Sequence, residues 1–199
     1  NFLKENYKGK PRSESIEGIY RLSGLQQGML FHGLYESGAD SYIRQVSCEV
    51  MNIDMDLLKN SWSVIFKKHS ILRSAFYHDE FGIPVQCVYK EVEMLVEVLD
   101  FRKMNEADQK DAIDSFALED STLKEFDFKV SPLMRISLLR LSDERYRMFW
   151  TWHHILFDGW SMQILLEEFL TAYENLISGR ELQIKETDRY EDYIRYIER

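Results

Sequence analysis

The stretch "HHILFDGWS", residues 153 to 161, brings two adjacent imidazoles, one carboxylate and a glycine into nine positions. A His four residues before an Asp, beside a Gly with no side chain to obstruct approach and a helix start just after, can handle a proton and stabilise a developing charge. A metal site is disfavoured, because neighbours on a strand point to opposite faces and His153 and His154 therefore cannot share one ion. No Cys, no His-x-x-x-His and no third ligand stands at zinc-like spacing, so no metal is expected. There is also no Gly-x-Ser-x-Gly elbow, and Ser161 falls where a helix N-cap is expected. Neither a Gly-x-Gly-x-x-Gly nor a Walker pattern occurs. Two readings stay open on the residues alone. Either both histidines are hydrogen-bonded structural residues with Asp158 forming a turn ahead of Gly159, or one His organises a direct transfer between two bound substrates.

The flanking elements decide where these groups sit. "LMRISLLRLSDERYRMFWTWHH" reads as two apolar or alternating strands joined at Ser142 to Glu144, a hairpin whose second strand ends at the histidines. Trp160 to Ile177 reads as a helix closed by Gly179. The quoted residues thus lie where a buried strand empties into a turn and a helix, a rigid mount for exposed functional groups. Upstream, Ser23 caps a helix carrying Leu25, Met29, Leu30, His32, Gly33 and Leu34 on or near one face. "SYIRQVSCEV" (41 to 50) alternates as a strand, and Asp54 caps a helix with the stripe Leu57, Leu58, Trp62, Ile65 and Phe66. "ILRSAFYHDEFGIPVQCVY" reads as strand, turn at Asp79 to Gly82, and strand, with "MLVEVLD" (94 to 100) a further short one. Asn105 to about Leu118 reads as an exposed amphipathic helix, with Ala107, Ile113, Phe116 and Ala117 inward, and "DRYEDYIRYIE" as a last short helix.

Bulk properties narrow the function. At 199 residues, with 45% hydrophobic and 30% charged, the chain suits one α/β domain or one lobe of a larger protein. A formal net charge of −9 argues against nucleic acid and anionic membranes as partners. Cys48 and Cys87, each in an apolar alternating stretch, read as small core residues, which points to a reducing cytoplasm rather than a disulfide framework. The opening "NFLKENYKGKPRSESIEG" has no apolar signal-peptide region and reads as an interdomain linker after an upstream domain.

"HHILFDGWS" resembles the His-His-x-x-x-Asp-Gly motif of condensation domains in nonribosomal peptide synthetases, members of the chloramphenicol acetyltransferase-like superfamily. Three further stretches agree in order and spacing. "YRLSGLQQGMLFHGL" (20 to 34) is similar to the family's opening Ser-Pro-x-Gln-x-Gly-Met-Leu-Phe-His, "KKHSILRSAF" (67 to 76) to Arg-His-x-x-Leu-Arg-Thr-x-Phe, and "YEDYIRY" (190 to 196) to Tyr-x-Asp-Tyr-x-x-Trp. Gly24, Lys68, Ser70, Ser74 and Tyr196 depart from the commonest family residues.

The resemblance implies an α/β fold, a chloramphenicol acetyltransferase-like sandwich lobe with a mixed, mostly antiparallel sheet packed by helices. Residues 1–18 would be the linker and 19–199 the N-terminal lobe of a condensation domain, whose C-terminal lobe is absent from this chain. It implies an acyltransferase that forms a peptide bond in antibiotic biosynthesis, with the isolated lobe inactive. No cofactor would be bound by this domain, since the substrates hang from phosphopantetheine arms. The implied partners are donor and acceptor peptidyl carrier domains, an adjacent adenylation domain and the missing lobe. His154 matches the family's catalytic His, and His153 is structural. Asp158 and Arg73 would form a salt bridge that shapes the site, Gly159 would leave room for the substrate arm, and Trp160 would pack. An epimerisation domain and a catalytically silent carrier-docking module are the alternatives.

Overall fold

The structure is a computed structural model that describes residues 2–35, 42–180 and 190–197. The chain opens with a 3₁₀ turn (Phe2–Lys4), then β1 (Asn6–Tyr7), β2 (Lys10–Pro11), the single-turn α1 (Arg12–Ser15) and β3 (Ile16–Arg21). It continues through α2 (Gly24–Tyr35), β4 (Ile43–Met51), α3 (Met55–Lys68), a 3₁₀ turn (Ser70–Arg73), β5 (Ser74–Tyr77), β6 (Val85–Tyr89) and β7 (Leu95–Asp100). Then follow α4 (Glu106–Thr122), β8 (Met134–Arg140), β9 (Arg145–His153), α5 (Gly159–Ile177) and α6 (Tyr190–Ile197). Among the described residues three sheets form, β1-β2, β3-β6-β5 and β4-β9-β8-β7, and every pairing there is antiparallel except β7 with β8. This is the expected mixed, mostly antiparallel α/β arrangement.

The strand that ends at the histidines, β9, is central, with β4 on one side and β8 on the other. Alternation splits its side chains between two faces. Trp150 and Trp152 join Trp62 of α3, Phe157 and Phe169 of α5 in one core, with ring centroids 5.0 to 5.8 Å apart along the cluster. Phe149 turns the other way onto Phe116 of α4, centroids 5.1 Å apart. Covered on both faces over its second half, β9 is buried without a break from Phe149 to His153 and mostly apolar there, as a doubly buried strand must be. The hairpin with β8 turns at the expected Ser142 to Glu144, where Leu141 N–H donates to the Arg145 carbonyl. Asp54 caps α3 as expected, its carboxylate accepting from the Asp56 and Leu57 N–H groups at 2.9 Å. The left-handed turn that ends α5 falls on Gly179, φ +63°.

The opening stretch packs against the body: Tyr7 is buried and stacks on Tyr89 at 3.8 Å, and its hydroxyl accepts from Ser131 N–H at 2.9 Å. Arg12 lies over the Phe2 ring at 4.2 Å, so short aromatic anchors outweigh the polar composition around them. Ile16–Arg21 is a strand, which is specified by pairing with β6 rather than by its own pattern. Ser70–Arg73 is a 3₁₀ turn where a strand start was expected. Cys87 is buried, but Cys48 on β4 is exposed. Ser41, Asp188, Arg189 and Glu198, included in expected elements, lie outside the described residues.

The helix expected to stop near Leu118 runs on to Thr122, and the added turn carries the fully buried Asp120. Its carboxylate accepts from Arg135 Nε at 2.8 Å, Gln45 Nε2 at 2.9 Å and the Thr151 hydroxyl. These bonds tie α4 to β4, β8 and β9 at once. Removing one partner of a buried pair strands the other, so Asp120→Ala should lower the unfolding free energy by about 3 to 5 kcal/mol. Urea unfolding of the 199-residue chain measures it. A loss no larger than that of an exposed aspartate would show that this network does not hold α4.

Candidate active site

Past His153 the β9 ladder ends, and the turn of residues 154–157 satisfies its polar groups individually. His154 N–H donates to the Tyr42 carbonyl at 2.8 Å, and Leu156 N–H to the His153 carbonyl at 3.1 Å. Ile155 N–H donates to His153 Nδ1 at 3.1 Å, and the Ile155 carbonyl accepts from Gln26 Nε2 at 3.3 Å. The apolar side chains of Ile155, Leu156 and Phe157 are all buried, and Phe157 stacks on Trp152 at 5.2 Å. The turn is therefore held from inside by apolar burial and from outside by hydrogen bonds.

The two histidines have different environments. His153 is buried, edge-on to Phe128 at 4.9 Å. Burial, with smaller contributions from His154 and Arg44, pulls its pKa down to about 4, so it is neutral at pH 7. Because Ile155 N–H donates to Nδ1, the His153 proton sits on Nε2. His154 is half-exposed, and its Nδ1 lies 2.9 Å from the Phe157 carbonyl. A carbonyl only accepts, so Nδ1 carries the proton of the neutral ring and Nε2 keeps its lone pair. Among the described residues Nε2 has no hydrogen-bond partner. The ring can thus accept a proton or a hydrogen bond from something outside the chain.

Asp158 does not meet Arg73. Its carboxylate caps α5, accepting from Ser161 N–H at 2.9 Å, while Met162 N–H donates to its carbonyl. The N-cap is therefore Asp158 rather than Ser161. Hydrogen bonds from the Ser161 backbone and hydroxyl, then the nearby His154, hold the Asp158 carboxyl below the usual carboxylate range. Arg73 lies elsewhere and is buried, donating Nε to the Phe66 carbonyl at 2.8 Å and a terminal nitrogen to Glu17 at 2.7 Å and to the Tyr89 carbonyl. It ties the end of α3 to β3 and β6, where a cation also suits a helix C-terminus.

The residues that precede Arg73 tie α3 to α5 instead, through a partner that sequence reasoning missed. Lys68 Nζ lies 2.7 Å and His69 Nε2 2.6 Å from the two carboxylate oxygens of Glu168 on α5. Burial pushes the Glu168 carboxyl up, but these two partners outweigh it and hold it low. Their positions at the end of α3 and on α5 gave no periodic signal, since the pairing spans about a hundred residues.

A Cβ added to Gly159 would meet nothing within 4 Å, so this glycine borders open space. Trp160, expected to pack, is 79% exposed. Among the described residues, no group of three His, Cys, Asp or Glu side chains is placed to hold a metal ion.

A family model described as "Condensation domain" matches residues 16–199. The chain is 37% identical over 186 residues to bacitracin synthase 3 of Bacillus licheniformis, covering 92% of this chain and 3% of that protein. It is 34% identical over 196 residues to bacitracin synthase 1 of the same organism, covering 98% of this chain and 4% of that one. The starter condensation domain of rhizomide synthetase RzmA superposes with TM-score 0.76 at 18% identity, over 92% of this chain and 45% of that domain's chain. At such identity the superposition speaks to fold. The chain spans only a few per cent of its curated relatives' lengths.

The neutral, buried His153 has a pH signature. Its folded pKa lies below the ordinary 6.5, so the unfolded chain binds the proton first, and stability is lost as pH falls from about 6.5 towards about 4. The loss should reach on the order of 3 kcal/mol. Urea midpoints measured across that window should drop, and the slope should flatten in His153→Asn. An unchanged slope in that variant would place the titration elsewhere.

Proposed function

The chain belongs to the condensation-domain family, and on that premise we propose that it is the N-terminal lobe, residues 19–199, of a nonribosomal peptide synthetase condensation domain with His154 as its catalytic residue. The preceding residues would connect it to an upstream domain while packing on the lobe. The observation that carries this reading is a half-exposed His154 whose Nδ1 is committed to the Phe157 carbonyl, leaving Nε2 as an acceptor.

The acceptor's α-amine attacks the donor's thioester carbonyl. A C–N bond forms, the C–S bond breaks, the nitrogen loses a proton, and the departing sulfur ends as a thiol. An α-amine of pKa about 7.7 to 8.0 is already roughly a tenth neutral at pH 7, so ground-state deprotonation is worth only about 1 kcal/mol. The larger contribution of His154 Nε2 is to orient the amine and accept its proton as the nitrogen becomes ammonium-like. Both substrates arrive on phosphopantetheine arms of donor and acceptor peptidyl carrier domains, beside an adenylation domain and a second lobe. The open space at Gly159 leaves room for an arm. Asp158 acts by starting α5, and His153 by holding the turn.

No described helix is long and apolar enough to cross a membrane. The free cysteines suit a cytoplasmic setting for such a synthetase.

In the complete synthetase, His154→Ala should slow peptide bond formation between two loaded carriers by several hundred-fold or more, roughly the general-base range, with fold and carrier binding retained. Undiminished product would mean that tethering does the work without this side chain.

A further inference from the structure

Gln26, near the start of α2, is 4% exposed and connects that helix to the turn carrying His154. Its side-chain oxygen accepts from Ser23 N–H at 3.0 Å, and its own N–H donates to Ser23 Oγ at 3.3 Å, a reciprocal capping box. Its side-chain nitrogen is left to donate to the Ile155 carbonyl, 129 residues along the chain. The fully buried Gln86 amide donates to the Arg21 carbonyl at 3.0 Å and approaches Gln26 Oε1 at 3.5 Å. Rotating the Gln26 amide by half a turn would set N–H against N–H at Ser23 and oxygen against oxygen at Ile155. Only one orientation satisfies all its neighbours.

We infer that Gln26 is a positioning residue for His154, acting through the Ile155 carbonyl. The inference rests on the catalytic reading of His154. Ile155 follows His154 directly, and it is itself buried, so its carbonyl without Gln26 would be unpaired or would turn to find another donor. Turning that peptide displaces either His154, held at Tyr42, or Phe157, whose carbonyl orients the imidazole. The Ser-x-x-Gln spacing of the box is legible in the sequence, but its second duty across the fold is not.

The test uses the complete synthetase. Gln26→Met removes the bridge together with the Oε1 half of the box, Ser23→Ala removes the Oγ half with its Tyr190 contact and leaves the bridge, and Gln27→Met changes a neighbour whose amide donates to the Leu22 carbonyl. Amide hydrogen exchange across residues 154–157 should accelerate about tenfold or more in Gln26→Met and stay unchanged in the other two. The same variant should lose about ten- to a hundredfold in kcat with KM unchanged, the scale of a small misplacement. Should Gln26→Met fail to fold, Gln26→Asn, one methylene short of Ile155, repeats the comparison. Equal effects in Gln26→Met and Ser23→Ala, or unaltered exchange in Gln26→Met, would overturn the inference. Faster exchange with full kcat would overturn it alone if His154→Ala is inactive, and would overturn the catalytic reading with it if His154→Ala is active.

Discussion

Everything near the site depends on one constraint, that β9 must be covered on both faces. Trp150 and Trp152 require α3, α5 and Phe157 on one side, while Phe149 and Thr151 require α4 on the other. A strand so placed is rigid, and where it stops its backbone needs new partners. The turn after His153 meets that need with Tyr42, Gln26 and its own histidines, and the orientation of His154 is a by-product of closing it.

The paired histidines divide the labour by environment rather than by type. Burial keeps His153 neutral and makes its Nδ1 an acceptor for the backbone, so it serves as a fixed strut. His154, one residue on and half-exposed, commits its other nitrogen to Phe157, a residue clamped among tryptophans. Asp158 caps the first turn of α5 through the Ser161 N–H. The helix it starts is tied in turn to α3 through Glu168, Lys68 and His69. Aromatic burial fixes where these groups stand, and short polar contacts fix which atoms face outward.

Local signals in the sequence are strong wherever one element decides the outcome. Asp54 before an apolar stripe, the hairpin ending at His153 and the glycine closing α5 are all legible because propensity, alternation and turn chemistry agree there. What escaped reading depends on distant partners. Tyr7 lies in a polar stretch and is buried only because Tyr89 and Ser131 await it. Asp120 looks like an exposed helix residue until Arg135 is placed beneath it. Likewise the Arg73 partner named by family resemblance is not the one found, since Glu17 and the Phe66, Tyr89 and Lys90 carbonyls occupy its guanidinium. The resemblance rests on four ordered motifs, while the contacts that join distant elements, Gln26 with Ile155 and Glu168 with Lys68 and His69, are written in none of them.

The fold fixes the His154 tautomer: whenever the ring is neutral its proton sits on Nδ1, against the Phe157 carbonyl, and Nε2 is available. Long-range proton–nitrogen correlation NMR on the histidine-labelled protein, at a pH where the ring is neutral, reads the tautomer directly. The account requires the proton on Nδ1 of His154 and on Nε2 of His153. A His154 ring protonated mainly on Nε2 would contradict it, because the nitrogen offered to a substrate amine would then be a donor.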